Sequence, residues 1–323
     1  MDKAVVLSLL FWSPLSAVGQ ETSACESYRQ KRPTHTTCSA ASKDFKISNN
    51  ELDLRISDIL TTHNRYRSQL ARGQLADFPP AANMVELRWD RELSDVAIAL
   101  ARQGTDKNGV AKHDLVEDRF TYGFLITGQN VHVDRSGIWI APAKWPQVVM
   151  EWFDQNLHYN ISKVSAYEVT VRPSDAFAQV AWATTLAVGC GYAEGEMTTL
   201  PERKSLIVYV CNYGPAGNKL NRSIYAVGPA CSRCPRNTRC NQTTGLCVLL
   251  QGEWSLDLAV PGEPSPANLL PTLSTPAASK AALASTPPVL AAAIIVAAAV
   301  VIAHDRTRGL WMTFFSICPL LSS

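Results

Sequence analysis

The cysteines are the residues of this chain with the most evident chemistry, and there are nine of them. Four fall within a short stretch, in the pattern Cys231-x-x-Cys234…Cys240…Cys247. Such thiols either join as disulfides or bind zinc as thiolates, since Cys-x-x-Cys begins many zinc sites. The stretch is too short to wrap an apolar core, so crosslinks or a metal must hold it. Cys318 lies beyond an apolar run near the C-terminus, and setting it aside leaves an even number of cysteines for pairing.

The N-terminus predicts export. Lys3 precedes the apolar run Ala4–Trp12, and small residues precede a cleavage point ahead of Gln20, which is the pattern of a secretory signal peptide over residues 1–19. Export favours disulfides over zinc for the cysteines. The chain also carries Asn-x-Ser/Thr glycosylation sequons, which agree with export, at Asn160, Asn221 and Asn241.

Other function classes find little support in the sequence. The formal net charge is only +2, and the lysines and arginines are scattered, so nucleic acid is not an expected partner. The chain has no Gly-x-Ser-x-Gly, no Walker loop and no His-Glu-x-x-His. Serine, histidine and aspartate occur only at scattered positions, which gives no case for a catalytic triad.

Helical periodicity predicts the elements that must position any site. One helix is expected to begin near Ser57, as a cap, and to stop at Gly73. His63 shares one face of it with Ile59, Tyr66 and Leu70, so we interpret this histidine as packed and hydrogen-bonded on a semi-buried face.

Two further helices and two strands are predicted downstream. A second helix is expected after Asp90, as cap, and a third from Pro146, a favoured first position. The apolar blocks 177–192 and 206–213 are rich in β-branched and aromatic residues and are predicted to be strands.

Two motifs in these blocks resemble the signatures of the CAP superfamily, which contains cysteine-rich secretory proteins, venom antigen five and pathogenesis-related proteins. They are Phe177-Ala-Gln-Val-Ala-Trp-Ala-Thr-Thr185, continuing to Tyr192, and Leu206-Ile-Val-Tyr-Val-Cys-Asn-Tyr-Gly-Pro-Ala-Gly-Asn218. His63-Asn-Arg-Tyr66 resembles the family's first-helix motif, and the likeness covers residues 55–228. It implies an α+β fold, a three-layer α-β-α sandwich with a small disulfide-rich hinge, closest to arthropod antigen-five-like proteins.

The resemblance also implies a domain organisation and disulfide pairs. The expected segments are an N-terminal disulfide loop extension over 20–50, a CAP domain over 51–228 and a cysteine-rich hinge over 229–250. His35-Thr-Thr-Cys38 resembles the end of the antigen-five extension. The pairs that the family pattern implies are Cys25–Cys38, Cys190–Cys211, Cys231–Cys240 and Cys234–Cys247.

Many CAP domains hold a metal-binding tetrad of two histidines and two glutamates. The corresponding positions of this chain are His113, Gln129, Gln155 and Ala176. A single histidine therefore remains, because glutamine is a poor zinc ligand, alanine is none, and neither acts as a general base. We expect a degenerate cleft with no catalytic residue, no metal and no cofactor. The alternative is that a neighbouring carboxylate replaces a lost ligand, from Asp114, Asp154 or Asp175.

Three functions follow from the resemblance. The first is a secreted or surface-anchored protein, not an enzyme, that binds an extracellular protein partner. The second is a carrier of sterols or fatty acids, and the third is a protease, against which the missing ligands argue. A hydrolase screen and a lipid extract of the purified protein discriminate these functions.

The C-terminal part of the chain differs in composition from the rest. Residues 251–288 are rich in Pro, Ala and Ser and predict an extended linker. The tail, 289–323, begins with an unbroken apolar run to Ala303 and is interrupted by charges at 305–308. A membrane anchor, a glycolipid-anchor signal and removal of the tail remain open as alternatives.

Overall fold

The structure of the protein is a computed structural model, and it describes residues 23–46, 49–135, 144–169, 174–197 and 204–250. These residues lie in the first of the two units into which the chain divides, Met1–Pro271, and the second, Thr272–Ser323, lies outside the described residues. The expected signal peptide, linker and apolar tail also lie outside them. Among the helices of the described ranges, none combines the length and the apolar character needed to cross a membrane.

The described residues form helices, strands and short 3-10 turns. The helices are α1 (Ser23–Arg29), α2 (Asn49–Ala71), α3 (Arg91–Ala101), α4 (Trp145–Asp154) and α5 (Asp175–Val180). The strands are β1 (Phe45–Lys46), β2 (Arg88–Trp89), β3 (Gly128–Asp134), β4 (Ala187–Met197), β5 (Lys204–Gly214), β6 (Thr238–Asn241) and β7 (Leu246–Leu249).

One sheet forms the centre of the fold. Its strands run in the order β1-β4-β5-β3 with antiparallel neighbours, and the short β2 pairs with β4 in parallel. The register places Cys190 of β4 directly opposite Cys211 of β5, and Gln129 of β3 opposite Asn212. The hairpin β6–β7 forms a separate two-stranded sheet.

Helices cover both faces of this sheet. Side chains alternate along β5, so Tyr209 and Tyr213 point to one face and Val208 and Val210 to the other. The tyrosines are buried in a cluster with residues of α2, α4 and α5. The valines are buried in a second cluster with residues of α3, including Ala97. The predicted three-layer α-β-α sandwich is therefore confirmed.

Helix α3 lies unusually close to β4 because β4 has glycines on that face. A Cβ atom on Gly189 would lie 2.2 Å from the backbone nitrogen of Ser94, and one on Gly191 would lie 2.4 Å from a side-chain carbon of Ile98. The Ser94 hydroxyl donates to the carbonyl of Cys190 at 2.7 Å. The helix begins as predicted, since the Asp90 carboxylate accepts from the N–H of Leu93.

The predicted start of α2 at Ser57 is wrong, because the helix begins at Asn49. The apolar stripe that carries Ile59 and Tyr66 continues upstream to Leu52, which is 5 % exposed. Burial along these roughly two extra turns outweighs the capping preference of a serine. His63 is completely buried on the same stripe, more deeply than the semi-buried position that the pattern predicted.

The prediction of strand over residues 177–192 is wrong in its first half. Residues Asp175–Val180 form α5, with Ala178 N–H bonded to Ser174 and Ala181 N–H bonded to Phe177, and β4 begins only at Ala187. Phe177 through Val180 are all buried, so they show neither a helical nor an alternating pattern. A short apolar run of this kind does not distinguish a buried helix from a buried strand.

A buried arginine connects α2 to the loop after α5. Arg67 is fully buried, and its guanidinium donates to backbone carbonyls on two segments: Val85, Val180, Trp182, Ala183 and Thr185. Its hydrogen-bond partners are neutral, and burial lowers the pKa of Arg67 to about 9. The guanidinium thus supplies donors to loop carbonyls that would otherwise be buried without partners.

The hairpin β6–β7 joins the sandwich through backbone hydrogen bonds. The N–H of Cys247 donates to Met84 at 2.8 Å, and the carbonyl of Cys247 accepts from Glu86 at 3.0 Å. Leu246 and Cys247 are both completely buried. Although the hairpin lies within the expected hinge, it is packed against the domain.

Four disulfides are present among the described residues: Cys25–Cys38, Cys190–Cys211, Cys231–Cys240 and Cys234–Cys247. They are the pairs that the family resemblance implies. Cys190 and Cys211 are completely buried between the central strands, where the register places them face to face.

We expect the purified protein to carry these pairs. Peptide mapping without reduction should recover one peptide pair for each bond, with the crossed connection in the hinge. The fragments distinguish the crossed pairing in the hinge from a sequential one, because a bond from Cys231 to Cys234 would give different peptides. A free thiol at Cys190 or Cys211 would contradict the strand register.

Candidate functional site

The four tetrad positions lie on different elements. His113 is in the loop before β3, Gln129 is the second residue of β3, Gln155 follows the last residue of α4, and Ala176 is in the first turn of α5. The contacts bring them together as two pairs. His113 bonds to Gln129, and Gln155 bonds to the backbone of Ala176.

Gln129 is the centre of the first pair. Its amide nitrogen donates to a carboxylate oxygen of Asp114 and to the side-chain oxygen of Asn212, both at 2.9 Å. Its amide oxygen accepts from Arg119 at 3.2 Å and lies 2.9 Å from Nδ1 of His113. Because arginine can only donate, the oxygen must face Arg119, and Nδ1 of His113 therefore carries the proton. Both ends of the amide are engaged.

Asp114 and Arg119 form an ion pair beside Gln129. Their charged atoms lie 2.7 Å apart, and each side chain is only 9 % exposed. Arg119 donates in addition to the carbonyls of Asp114 and Thr127, while the hydroxyl of Thr36 donates to the second oxygen of Asp114. The Asp114 carboxylate is therefore neutralised and held in place by the N-terminal extension.

The second pair is tied to the backbone of α5. The side-chain oxygen of Gln155 accepts from the N–H of Ala176 at 3.2 Å. Asn130, the neighbour of Gln129, donates to the carbonyl of Ala176 at 3.1 Å and to the hydroxyl of Tyr213 at 3.3 Å. Asn130 is thus the connection between the two pairs.

His63 lies beneath this connection as a structural residue. Nδ1 lies 2.8 Å from the carbonyl of Ile59, so it carries the proton, and Nε2 accepts from the hydroxyl of Tyr213 at 3.0 Å. Complete burial lowers the pKa of His63 to about 4. A neutral imidazole with both nitrogens engaged supports the interpretation of a packed histidine.

The residues of the cleft do not fit a zinc ion. Of the four positions only His113 offers a good ligand, and the oxygen of Gln129 faces the positive charge of Arg119. Two of the three carboxylates that could replace a lost ligand are engaged elsewhere, Asp114 with Arg119 and Asp175 with the hydroxyl of Tyr167, and the third, Asp154, is exposed. Elsewhere in the described chain, Cys231, Cys234 and Cys247 are close enough to share a metal, but each is in a disulfide.

Purified protein should therefore show no micromolar zinc site at neutral pH. Replacing His113 with alanine should leave metal content unchanged and reduce stability by no more than about 0.5 kcal/mol, because the residue is exposed. Titration calorimetry of the wild type and of His113→Ala measures this. The triple variant Gln129→Glu, Gln155→Glu, Ala176→His is the positive control for detection. A micromolar site that is lost in His113→Ala would contradict the assignment.

Sequence reasoning missed the residues that close the cleft. Arg119 carries no motif signal, Asn212 lies within the second signature motif without a signal of this role, and Asp114 is predicted only as a substitute ligand. Their roles depend on the pairing of β3 with β5 and on the packing of the N-terminal extension, which sequence spacing does not reveal.

Comparison with known proteins places the chain in a family. The model of the cysteine-rich secretory protein family, CAP, matches residues 60–213. Scoloptoxin SSD976 of Scolopendra dehaani is 30 % identical over 204 residues, which are 63 % of this chain and 88 % of that protein. The chain belongs to the CAP family. The resemblance seen in the two signature motifs is thereby confirmed.

Other CAP relatives are longer than this chain. "CRISP/Allergen/PR-1" of Trittame loki is 32 % identical over 249 residues, 74 % of this chain and 57 % of the relative. "Cysteine-rich venom protein" of Tityus serrulatus is 34 % identical over 230 residues, 68 % and 52 % respectively. The chain thus spans little more than half the length of these curated relatives. Among solved structures, Na-ASP-1 is 28 % identical, with a TM-score of 0.45, over 59 % of this chain and 46 % of that one.

Proposed function

We propose that this CAP protein is an extracellular binding protein that lacks catalytic chemistry. The observation that carries the proposal is the closed set of hydrogen bonds around Gln129. Asp114 is neutralised by Arg119, and both ends of the Gln129 amide are engaged, so neither side chain is available as a general base or metal ligand. The names of the curated relatives, among them secretory and venom proteins, support an extracellular location.

Apolar side chains of the loop that carries Asp114 and Arg119 form the recognition surface in our proposal. We call the exposed residues Leu115, Tyr122, Leu125 and Ile126 the cleft rim; their exposed fractions are 62, 54, 72 and 60 %. They fall within one loop that follows His113. Apolar residues exposed together on a soluble protein are typical of interaction sites.

The N-terminal extension holds the cleft rim in a defined conformation. Arg32 pairs with Asp118 at 2.6 Å, and Nε2 of His35 donates to the carbonyl of Phe120 at 2.9 Å. The hydroxyl of Tyr122 donates to the carbonyl of Ser27. A surface fixed in this way loses little conformational entropy on binding, which favours recognition of a protein partner.

Binding of extracellular proteins to rim variants tests the proposal. The wild type, the double variant Leu125→Asp, Ile126→Asp and the control Leu157→Asp are immobilised and exposed to solubilised cell-surface proteins. Leu157 is 80 % exposed and lies outside the rim. We expect a protein that binds the wild type and the control, and that binds the rim variant at least about tenfold more weakly, as loss of central apolar contacts predicts. Equal binding to all three would contradict the proposal.

Two further measurements address the other functions. A panel of peptidase and esterase substrates should give no turnover above that of a heat-denatured sample. Mass spectrometry of an organic extract should show no sterol or fatty acid in stoichiometric amount. A stoichiometric lipid would instead support the carrier function.

A further inference from the structure

An open groove lies between the outer face of α2 and the turn of the β6–β7 hairpin. We call it the hinge groove; it encloses about 820 Å³, and the partly buried Leu60 and Trp89 contribute apolar surface to it. Along α2 its lining extends from Ser57 to Arg72. At about 1.5 Å per residue this length is about 22 Å.

The hinge groove is positively charged. Its charged lining residues are Arg65, Arg72, Arg88 and Glu86, which give a net charge of +2 when the carboxylate is ionised. Glu86 is the only acidic residue of the lining, and burial raises the pKa of its carboxyl. In the described part of the chain, none of the three arginines forms an ion pair. Arg65 and Arg72 are exposed and seven residues apart, so they lie on the same side of the helix.

The described chain ends at the edge of this groove. Arg88, one of the lining residues, donates to the carbonyl of Leu249 at 2.7 Å, and Leu250 is the last described residue. The residues that follow in the sequence are Gln251-Gly-Glu-Trp-Ser-Leu-Asp-Leu258. They have a net charge of −2, opposite to that of the groove.

The pattern of this segment also matches the groove. In an extended chain Glu253 and Asp257 fall on one side, while Trp254, Leu256 and Leu258 fall on the other. Seven residue steps from 251 to 258 span about 23 Å at about 3.3 Å per residue, close to the length of the groove. The apolar side suits the floor at Leu60 and Trp89, and the carboxylates then face the arginines that line the groove.

We propose that the hinge groove is the docking site for the chain's own residues 251–258, which bind it as an extended strand. The segment lies between the hinge and the expected Pro-rich linker, so docking fixes the place at which the linker begins. This inference goes beyond the proposed function and does not depend on it, since the groove and the cleft rim share no residue.

Hydrogen–deuterium exchange of the full chain tests the docking. In the wild type, amides within 252–258 should exchange at least tenfold more slowly than in the synthetic peptide of the same sequence. The variant Glu253→Arg, Asp257→Arg should exchange at the peptide rate, and so should Arg65→Glu, Arg72→Glu. Combining the four substitutions should restore slow hydrogen exchange, because the groove then carries the negative charges and the segment the positive ones.

Controls separate docking from unfolding. Arg236→Glu reverses an exposed arginine of the hinge that does not line the groove, and should leave the segment protected. Protection of β5 in every sample verifies the fold. Because Asn241 also lines the groove, the wild type is measured both with its glycans and after enzymatic removal of them. Exchange at the peptide rate in both wild-type samples, or protection that is indifferent to charge reversal, would overturn the proposal.

Discussion

Replacing Arg67 with methionine is expected to lower the free energy of unfolding by about 4 kcal/mol, which is in the upper range for single substitutions. Methionine fills similar volume but donates no hydrogen bond. Five backbone carbonyls would then be buried without their donor. They belong to Val85, Val180, Trp182, Ala183 and Thr185. Each unsatisfied buried group costs about 1–3 kcal/mol, and partial rearrangement or water entry relieves part of the total. Urea unfolding of the non-reduced protein measures the loss.

Two matched variants show whether the donors are responsible. Arg67→Lys keeps the charge but offers three donors in place of the planar guanidinium, so about half of the loss is expected. Arg65→Met removes an exposed arginine from the same helix and should change stability by about 0.5 kcal/mol or less. Similar losses for Arg65→Met and Arg67→Met would contradict the role assigned to Arg67.

The protein should lose stability on mild acidification because of His63. The pKa of His63 is lowered to about 4 in the folded protein, while an unfolded chain gives about 6.5. Between pH 4 and 6.5 the unfolded state binds a proton at His63 that the folded state does not. The stability that the neutral imidazole contributes is therefore fully present above pH 6.5 and is lost as the pH falls towards 4. At about 1.4 kcal/mol per pH unit, the loss is on the order of 3 kcal/mol. His35, whose pKa burial also lowers, acts in the same direction.

Urea unfolding at a series of pH values, with NMR titration of the His63 ring, measures this effect. The variant His63→Gln keeps a nitrogen donor group and an oxygen acceptor but cannot ionise. It should be less stable than the wild type at pH 7, and it should lose less stability between pH 6.5 and 4. An unchanged pH dependence in His63→Gln would show that other groups are responsible.

The sequence predicted the layers of the fold well because they depend on local patterns. The cap at Asp90, the proline in the first turn of α4 and the apolar β5 strand each follow from neighbouring residues. Prediction failed where burial was uniform. The run from Phe177 to Val180 is buried on every side, so its helical conformation leaves no periodic trace.

The candidate site was predictable only as a list of positions. The motifs located His113, Gln129, Gln155 and Ala176, but not the contacts that engage them. Those contacts come from residues distant in the sequence, such as Asn212 across the sheet and Thr36 from the N-terminal extension. The buried position of Arg67 is indicated by its spacing in the sequence. It follows Ile59 and His63 at intervals of four on the apolar face of α2, where an arginine must find buried partners.

The way in which β7 joins the domain has a mechanical consequence. A pull on the chain beyond Leu250 first acts on the bond from the N–H of Leu250 to the carbonyl of Asn237, and then on the bond from Arg88 to the carbonyl of Leu249. It then reaches Cys247, whose backbone bonds to Met84 and Glu86 lie in a short parallel bridge and are loaded together in shear. If those hydrogen bonds break, the disulfide between Cys247 and Cys234 still limits how far the chain can extend. Force transmitted from the C-terminal segment would therefore be resisted by the hairpin and, through Arg88, by the short strand β2 before it reaches the cleft.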